Sequence, residues 1–222
     1  MENREKIRKR TAEIFRRLKR KYPDAKIVLN FSNNWELLVA VILSAQCTDK
    51  KVNEVTATLF KKYRGLEDYV RADPKEFEKV IRPTGFYRAK TKNILASAKI
   101  VKEKFGGKIP QTMEEILKLP GVARKTANVV LGNAYGVSEG IAVDTHVRRL
   151  SQRLELSSKR NPEKIEKDLM ALIPKKDWFK TTYLLISHGR AICTAKDPRC
   201  DLCPVNDICP SAFKFPRFKV RG

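Results

Sequence analysis

Helical punctuation constrains what this chain can fold into more than any other feature. Apolar residues recur three and four apart in segments of roughly 8 to 20 residues, with Pro, Gly, Asn or Asp between them, and no run alternates with the two-residue period of a strand. An all-α fold follows. Ile7, Ile14, Phe15 and Leu18 share one face of a first helix whose other face is Arg and Lys. Residues 35–46, WELLVAVILSAQ, are apolar on nearly all sides and read as a core helix, and Cys47 reads as lying inside an apolar helix. Asp73, Pro74 and Glu76 supply an N-cap, a first-turn proline and a capping carboxylate, and Thr112 with Glu115 repeats the capping pattern. Gly106 and Gly107 end a helix that begins near Tyr87. There is no internal repeat and no low-complexity tract.

At 222 residues the chain can bury a core without disulfide staples, and it sits between one domain and two. Lys and Arg number 47 against 25 Asp and Glu, a net charge of +22 that calls for a polyanionic partner. Nucleic acid, an anionic membrane surface and the ribosome all fit that charge. No stretch approaches the ~18 apolar residues of a membrane span, and the N-terminus lacks the apolar run of a signal peptide. A soluble, intracellular protein with no membrane association is expected. The 32% charged fraction fits a heat-adapted source.

The cysteines narrow the chemistry. Cys193, Cys200, Cys203 and Cys209 fall within 17 residues with the spacing C-x6-C-x2-C-x5-C. A reducing compartment and a metal centre explain this better than disulfides do. Four thiolates from one loop can hold zinc or a 4Fe-4S cube. Zinc sites usually come as two close pairs, whereas one close pair with two wider arms favours the cube. Lys196 and Arg199 lie on the loop between the first two cysteines and are candidate phosphate contacts.

Residues 112–136 read as a short helix, a tight turn at Pro120 and Gly121, and a second helix restarting at Ala123. Backbone N–H groups around Gly121, Val122 and Ala123, beside the positive end of the second helix, would form an anion site. Such a site holds a DNA phosphate without reading sequence. In the tail, Phe213, Phe215 and Phe218 interleave with cations, and docking onto the protein's own surface is the expected use.

The segment LPGVARKTAN from Leu119 to Asn128, followed by Val143-Asp144-Thr145-His146, resembles the helix-hairpin-helix of the endonuclease III family of DNA glycosylases. The similarity extends to LSAQCTD from Leu43 to Asp49, to GFYRAK from Gly85 to Lys90 and to the terminal cysteines, covering roughly residues 28 to 209. One departure is Ala123, where the family usually has a second glycine. Alanine does not easily take positive φ, so phosphate binding is expected only if Ala123 is already helical.

The resemblance implies a two-lobed helical fold: a helical domain over 27–138 containing the hairpin, and an iron-sulfur cluster domain built from 1–26 and 139–222. It implies that Lys125 and Asp144 face each other across the cleft, Lys125 as nucleophile at the sugar C1′ and Asp144 as the charge that stabilises the sugar cation. Lys125 is expected to be partly buried beside Arg124. From spacing alone, Asp144 reads as a plain N-cap of a helix over Thr145–Leu154.

A lysine nucleophile leaves a Schiff base and so permits strand nicking by β-elimination. Relatives that use an activated water carry no lysine there and only remove the base. By the same resemblance Gln46 fills the gap left by the extruded nucleotide, and Phe86, where leucine is commoner, is a second wedge. The plainer roles are capping of the core helix for Gln46 and ordinary core for Phe86. Lys90, Arg88, Arg148 and His146 are candidate DNA contacts. The four cysteines would hold a structural 4Fe-4S cluster.

The implied function is a bifunctional glycosylase and abasic-site lyase of base excision repair, acting as a monomer on double-stranded DNA with oxidised pyrimidines or abasic sites, in the nucleoid-associated cytoplasm of a prokaryote. The alternatives are a mismatch or adenine glycosylase without lyase activity, against which Lys125 argues, and a non-catalytic DNA-binding module with a structural metal.

Overall fold

The computed structural model describes residues 4–215. Among them are eleven α-helices, three short 3-10 turns and no strand. In chain order the helices are α1 (Arg4–Lys21), α2 (Asn34–Leu43), α3 (Asp49–Lys62), α4 (Leu66–Val70), α5 (Pro74–Ile81), α6 (Tyr87–Phe105), α7 (Met113–Ile116), α8 (Arg124–Tyr135), α9 (Thr145–Arg153), α10 (Pro162–Leu172) and α11 (Trp178–Ala191). The chain divides into two compact units, one of Val28–Glu139 and one joining Met1–Ile27 to Gly140–Gly222.

The unit of Val28–Glu139 is organised by α2, in which every residue from Trp35 to Leu43 is buried. A reciprocal cap starts this helix: Asn33 Oδ1 accepts the Glu36 N–H at 2.9 Å, while Glu36 Oε2 accepts the Ser32 N–H at 2.6 Å. The helix stops at Leu43, three residues before the end expected from its apolar pattern. Ser44, Ala45 and Gln46 form a turn instead, and Cys47 lies outside the helix. Trp35, Tyr63, Tyr69 and Phe77 meet edge-on or tilted at centroid distances of 5.2–5.8 Å. The start signals hold: Asp73 accepts the Glu76 N–H at 2.9 Å and Thr112 accepts the Glu115 N–H at 3.3 Å. Glu76, however, turns to Lys79 rather than closing a capping box. Gly106, at φ +58°, ends α6 in the left-handed conformation.

The other unit draws its core from both ends of the chain. Ile14, Phe15 and Leu18 of α1 pack with Val147 and Leu150 of α9, Ile165 and Leu169 of α10 and Leu184 and Leu185 of α11. Each fully buried aliphatic side chain in such a core contributes about 1.5–3 kcal/mol. The basic face of α1 is partly committed to its own unit. Arg8 donates to Ala171 O at 3.1 Å, Arg10 to Leu154 O at 2.6 Å, and Arg17 to both Pro204 O at 3.1 Å and Asp207 Oδ1 at 2.6 Å.

Candidate active site and metal centre

The hairpin turn is built around one glycine. Gly121 takes φ +79°, and a Cβ there would lie 2.9 Å from the Asn93 side chain on α6, so both backbone conformation and space require glycine. Ser97, also on α6, donates to Pro120 O at 3.0 Å and fixes the other side of the turn. The Val122 N–H closes the turn on Leu119 O at 3.1 Å, which removes it from the anion site expected of it. The amides of Gly121 and Ala123 lie just before the start of α8 and are candidates for an external anion.

Ala123 is the N-cap of α8, at φ −91° and ψ 170°. It is extended rather than helical, contrary to the condition drawn from its side chain. The second glycine of the hairpin is dispensable here for another reason: no positive φ is called for at this position.

Lys125 occupies the second position of α8 and is exposed, with Arg124 beside it half-buried. The partial burial expected of Lys125 is absent, although its neighbours Arg124 and Thr126 are half-buried. Asp144 is half-buried and caps α9, its Oδ1 accepting the Val147 N–H at 2.8 Å. Its position and one of its oxygens are thereby set, while the carboxylate stands at the positive end of the helix dipole.

Gln46 and Phe86 share a feature that no sequence pattern announces. Both are non-glycine residues in the left-handed region, at φ 54° and 47°. Gln46 is exposed, as is Phe86 at 64% of its surface, so Gln46 does not cap α2 and Phe86 is not core. A large apolar side chain is thus held out of the core by a conformation costing about 1–2 kcal/mol, so packing does not account for Phe86.

The other candidate contacts divide. Arg148 is exposed. Arg88 lies over the Tyr87 ring at 5.7 Å, and His146 Nδ1 lies 3.2 Å from Arg149 Nη2. Lys90 is not a surface phosphate ligand. It is 4% exposed, and its Nζ donates to Leu43 O and Thr84 O, each at 2.8 Å. Sequence reasoning missed this role because a buried lysine bonded only to carbonyls leaves no motif.

The four C-terminal cysteines line one small cavity, together with Arg153, His188, Arg199 and Phe215. No three His, Cys, Asp or Glu side chains among the described residues converge as they would on a single metal ion. The four cysteines share the lining of this cavity, and either four-thiolate centre left open by their spacing would draw its ligands from them. Burial pushes the Cys203 thiol up to about 12 and raises that of Cys209, so their thiolates need a cationic centre to stabilise them.

Arg153 anchors the first arm of the cysteine loop. Its Nη1 donates to Cys193 Sγ at 3.2 Å and to Thr194 O at 2.7 Å, Nη2 donates to Ala195 O at 2.9 Å, and the Phe215 ring lies 4.5 Å from the guanidinium. Phe215 thus docks on its own unit as expected; Phe213 is exposed, and Phe218 lies outside the described residues. On the loop itself Lys196 is exposed, whereas Arg199 donates through Nη2 to Ala191 O at 2.6 Å.

Residues 39–175 match the HhH-GPD superfamily of base excision DNA repair proteins, and residues 193–209 match the iron-sulfur binding domain of endonuclease III. Endonuclease III of Synechocystis sp. is 50% identical over 92% of this chain and 94% of its own length. That of Bacillus subtilis is 49% identical over 87% and 88%. Among solved structures, a trapped endonuclease III–DNA covalent intermediate superposes with a TM-score of 0.89 at 42% identity, covering 96% of this chain and 99% of that one. A thermostable thymine-DNA glycosylase, at 23% identity and a TM-score of 0.80, shares the fold. The chain belongs to the endonuclease III family of base excision DNA repair proteins, and carries that family's 4Fe-4S domain.

Proposed function

We propose that Lys125 is the nucleophile with which this DNA glycosylase and abasic-site lyase removes oxidised pyrimidines such as thymine glycol and then nicks the strand. The observation that carries the reading is an exposed amine in the first turn of α8, directly after the phosphate-binding turn, in a chain 42% identical to an endonuclease III trapped covalently on DNA. A lysine amine can form such an adduct and afterwards release it.

Phosphates of the duplex dock on the amides of Gly121 and Ala123, with Arg124 beside them. The damaged nucleotide leaves the stack, and Gln46 and Phe86 occupy the gap. The Lys125 amine attacks C1′ as the bond to the base breaks, the departing base takes up a proton, and Asp144 stabilises the positive charge that gathers on the sugar. Opening of the sugar ring leaves a Schiff base between Lys125 and C1′. Loss of a C2′ proton then expels the 3′ phosphate by cleavage of the C3′–O bond, and water releases the enzyme from the shortened strand.

Cys193, Cys200, Cys203 and Cys209 would hold the 4Fe-4S cluster. When bound, it cross-links the loop and supports Lys196 near the DNA backbone. The protein works as a monomer in the cytoplasm of a prokaryote, on nucleoid DNA, and its charged surface suits a heat-adapted source. The relatives from Synechocystis sp. and Bacillus subtilis are bacterial proteins, and no helix among the described residues is long and apolar enough to cross a membrane.

Single-turnover assays on a thymine-glycol duplex test the reading. Lys125→Gln should lose base excision and nicking together while retaining duplex affinity. Excision that continues without nicking would place the nucleophile in water, as in a glycosylase without lyase activity.

A further inference from the structure

Burying a lysine ammonium with no carboxylate partner is costly, and such a residue persists where its hydrogen bonds do something an apolar side chain cannot. Lys90 is in that position. It is 4% exposed, and burial pulls its pKa below the ordinary lysine value. Its two carbonyl partners lie 47 and 6 residues away in sequence. Leu43 is the last residue of α2, where the helix leaves carbonyls without an intrahelical partner and the dipole is negative. Thr84 closes a 3-10 turn over Arg82–Thr84, and the Gly85 that follows has φ +71°.

The segments leaving these two carbonyls lead directly to the exposed left-handed residues. Gln46 lies three residues beyond Leu43, and Phe86 two residues beyond Thr84. Lys90 also belongs to the first turn of the helix that Phe86 caps, its own N–H bonding Phe86 O at 3.1 Å. One side chain therefore joins the stem of the Gln46 turn to the stem of the Phe86 turn.

We infer that Lys90 is a positioning residue for nucleotide extrusion: by bonding Leu43 O and Thr84 O together it fixes the spacing and orientation of the two turns that present Gln46 and Phe86. The inference rests on the reading of Gln46 and Phe86 as gap-filling residues. Lys90 touches neither substrate nor reacting atoms. Its effect is to keep two strained turns in register, so that the free protein already holds both wedges in the spacing that a vacated base position requires, and the ordering need not be made up on binding.

A double-mutant cycle in the iron-sulfur-loaded protein tests this, reading single-turnover excision of thymine glycol and the fluorescence of 2-aminopurine placed opposite the lesion. Lys90→Met should slow excision at least tenfold and weaken the 2-aminopurine signal in the wild-type background. In the Gln46→Ala, Phe86→Ala background it should change excision by no more than about twofold, since residues acting through one another are non-additive. Equal losses in both backgrounds would show that Lys90 serves only general stability and would overturn the inference. A Gln46→Ala, Phe86→Ala protein that excises at the wild-type rate would instead remove the gap-filling reading and the inference with it. If Lys90→Met does not fold, Lys90→Gln, whose shorter side chain keeps an N–H donor group without the charge, enters the same cycle, and the same equality or inequality of losses decides.

Discussion

Asp144 Oδ1 accepts the backbone N–H of Val147 at 2.8 Å, so the carboxylate assigned to the sugar cation is also the cap of α9. The two roles separate by substitution. Asp144→Asn keeps a capping oxygen and removes the charge; Asp144→Ala removes both. The asparagine variant should melt close to wild type, while alanine should cost a further ~1 kcal/mol. Excision should fall by orders of magnitude in both. If the asparagine variant kept more than about a tenth of the rate, a loss below ~1.4 kcal/mol, Asp144 would be a cap alone.

The cysteine cavity makes a prediction about metal content. Purified protein should be brown, with broad visible absorption and about four iron and four sulfide per chain, all lost on acid treatment. Cys47 belongs to the other unit and does not line the cavity, so Cys47→Ser should leave the iron content unchanged. Arg153→Ala should make the cluster easier to remove by chelators, because Cys193 Sγ, Thr194 O and Ala195 O lose a common donor. Zinc without iron in elemental analysis would contradict the cluster assignment.

The salt dependence of DNA binding separates phosphate contacts from structural cations. If the hairpin amides and neighbouring basic side chains engage roughly five to eight phosphates, log K should fall against log salt with a slope of about −4 to −7. Arg199 donates an N–H to Ala191 O but stays exposed, so Lys196 is the loop cation with no internal hydrogen bond among the described residues, and Arg199 remains a second candidate contact. Lys196→Ala should reduce the slope by about one unit without changing which lesion is preferred, because phosphate contacts position the duplex and do not read the base. Fluorescence anisotropy at several salt concentrations measures this, and an unchanged slope would take the loop out of the DNA interface.

What could be read from the sequence was local. The caps at Asp73 and Thr112 hold because they depend on side chains within a few residues of the amides they serve. The turn at Gly121 was legible in Pro-Gly, but its fit against Asn93 was not, since that depends on a helix over 20 residues earlier. The end of α2 was misread because Ser44 and Ala45 break no apolar pattern. The helix stops where Leu43 O passes to Lys90 and Gln46 turns left-handed, which are tertiary events. The glycine argument at Ala123 applies only at positive φ, and the exposure of Lys125 could not be inferred from a sequence that places it two and three residues from buried Ala127 and Asn128.

The most direct test of Lys125 as nucleophile is borohydride reduction on duplex DNA containing an abasic site, followed by peptide mapping of the cross-link. Reduction converts the Schiff base to a stable amine, so the wild-type protein should become covalently joined to the DNA through the peptide containing Lys125. Lys125→Gln should give no covalent product while binding the same duplex. A cross-link that maps to another residue, or one that forms at full yield in Lys125→Gln, would contradict the assignment.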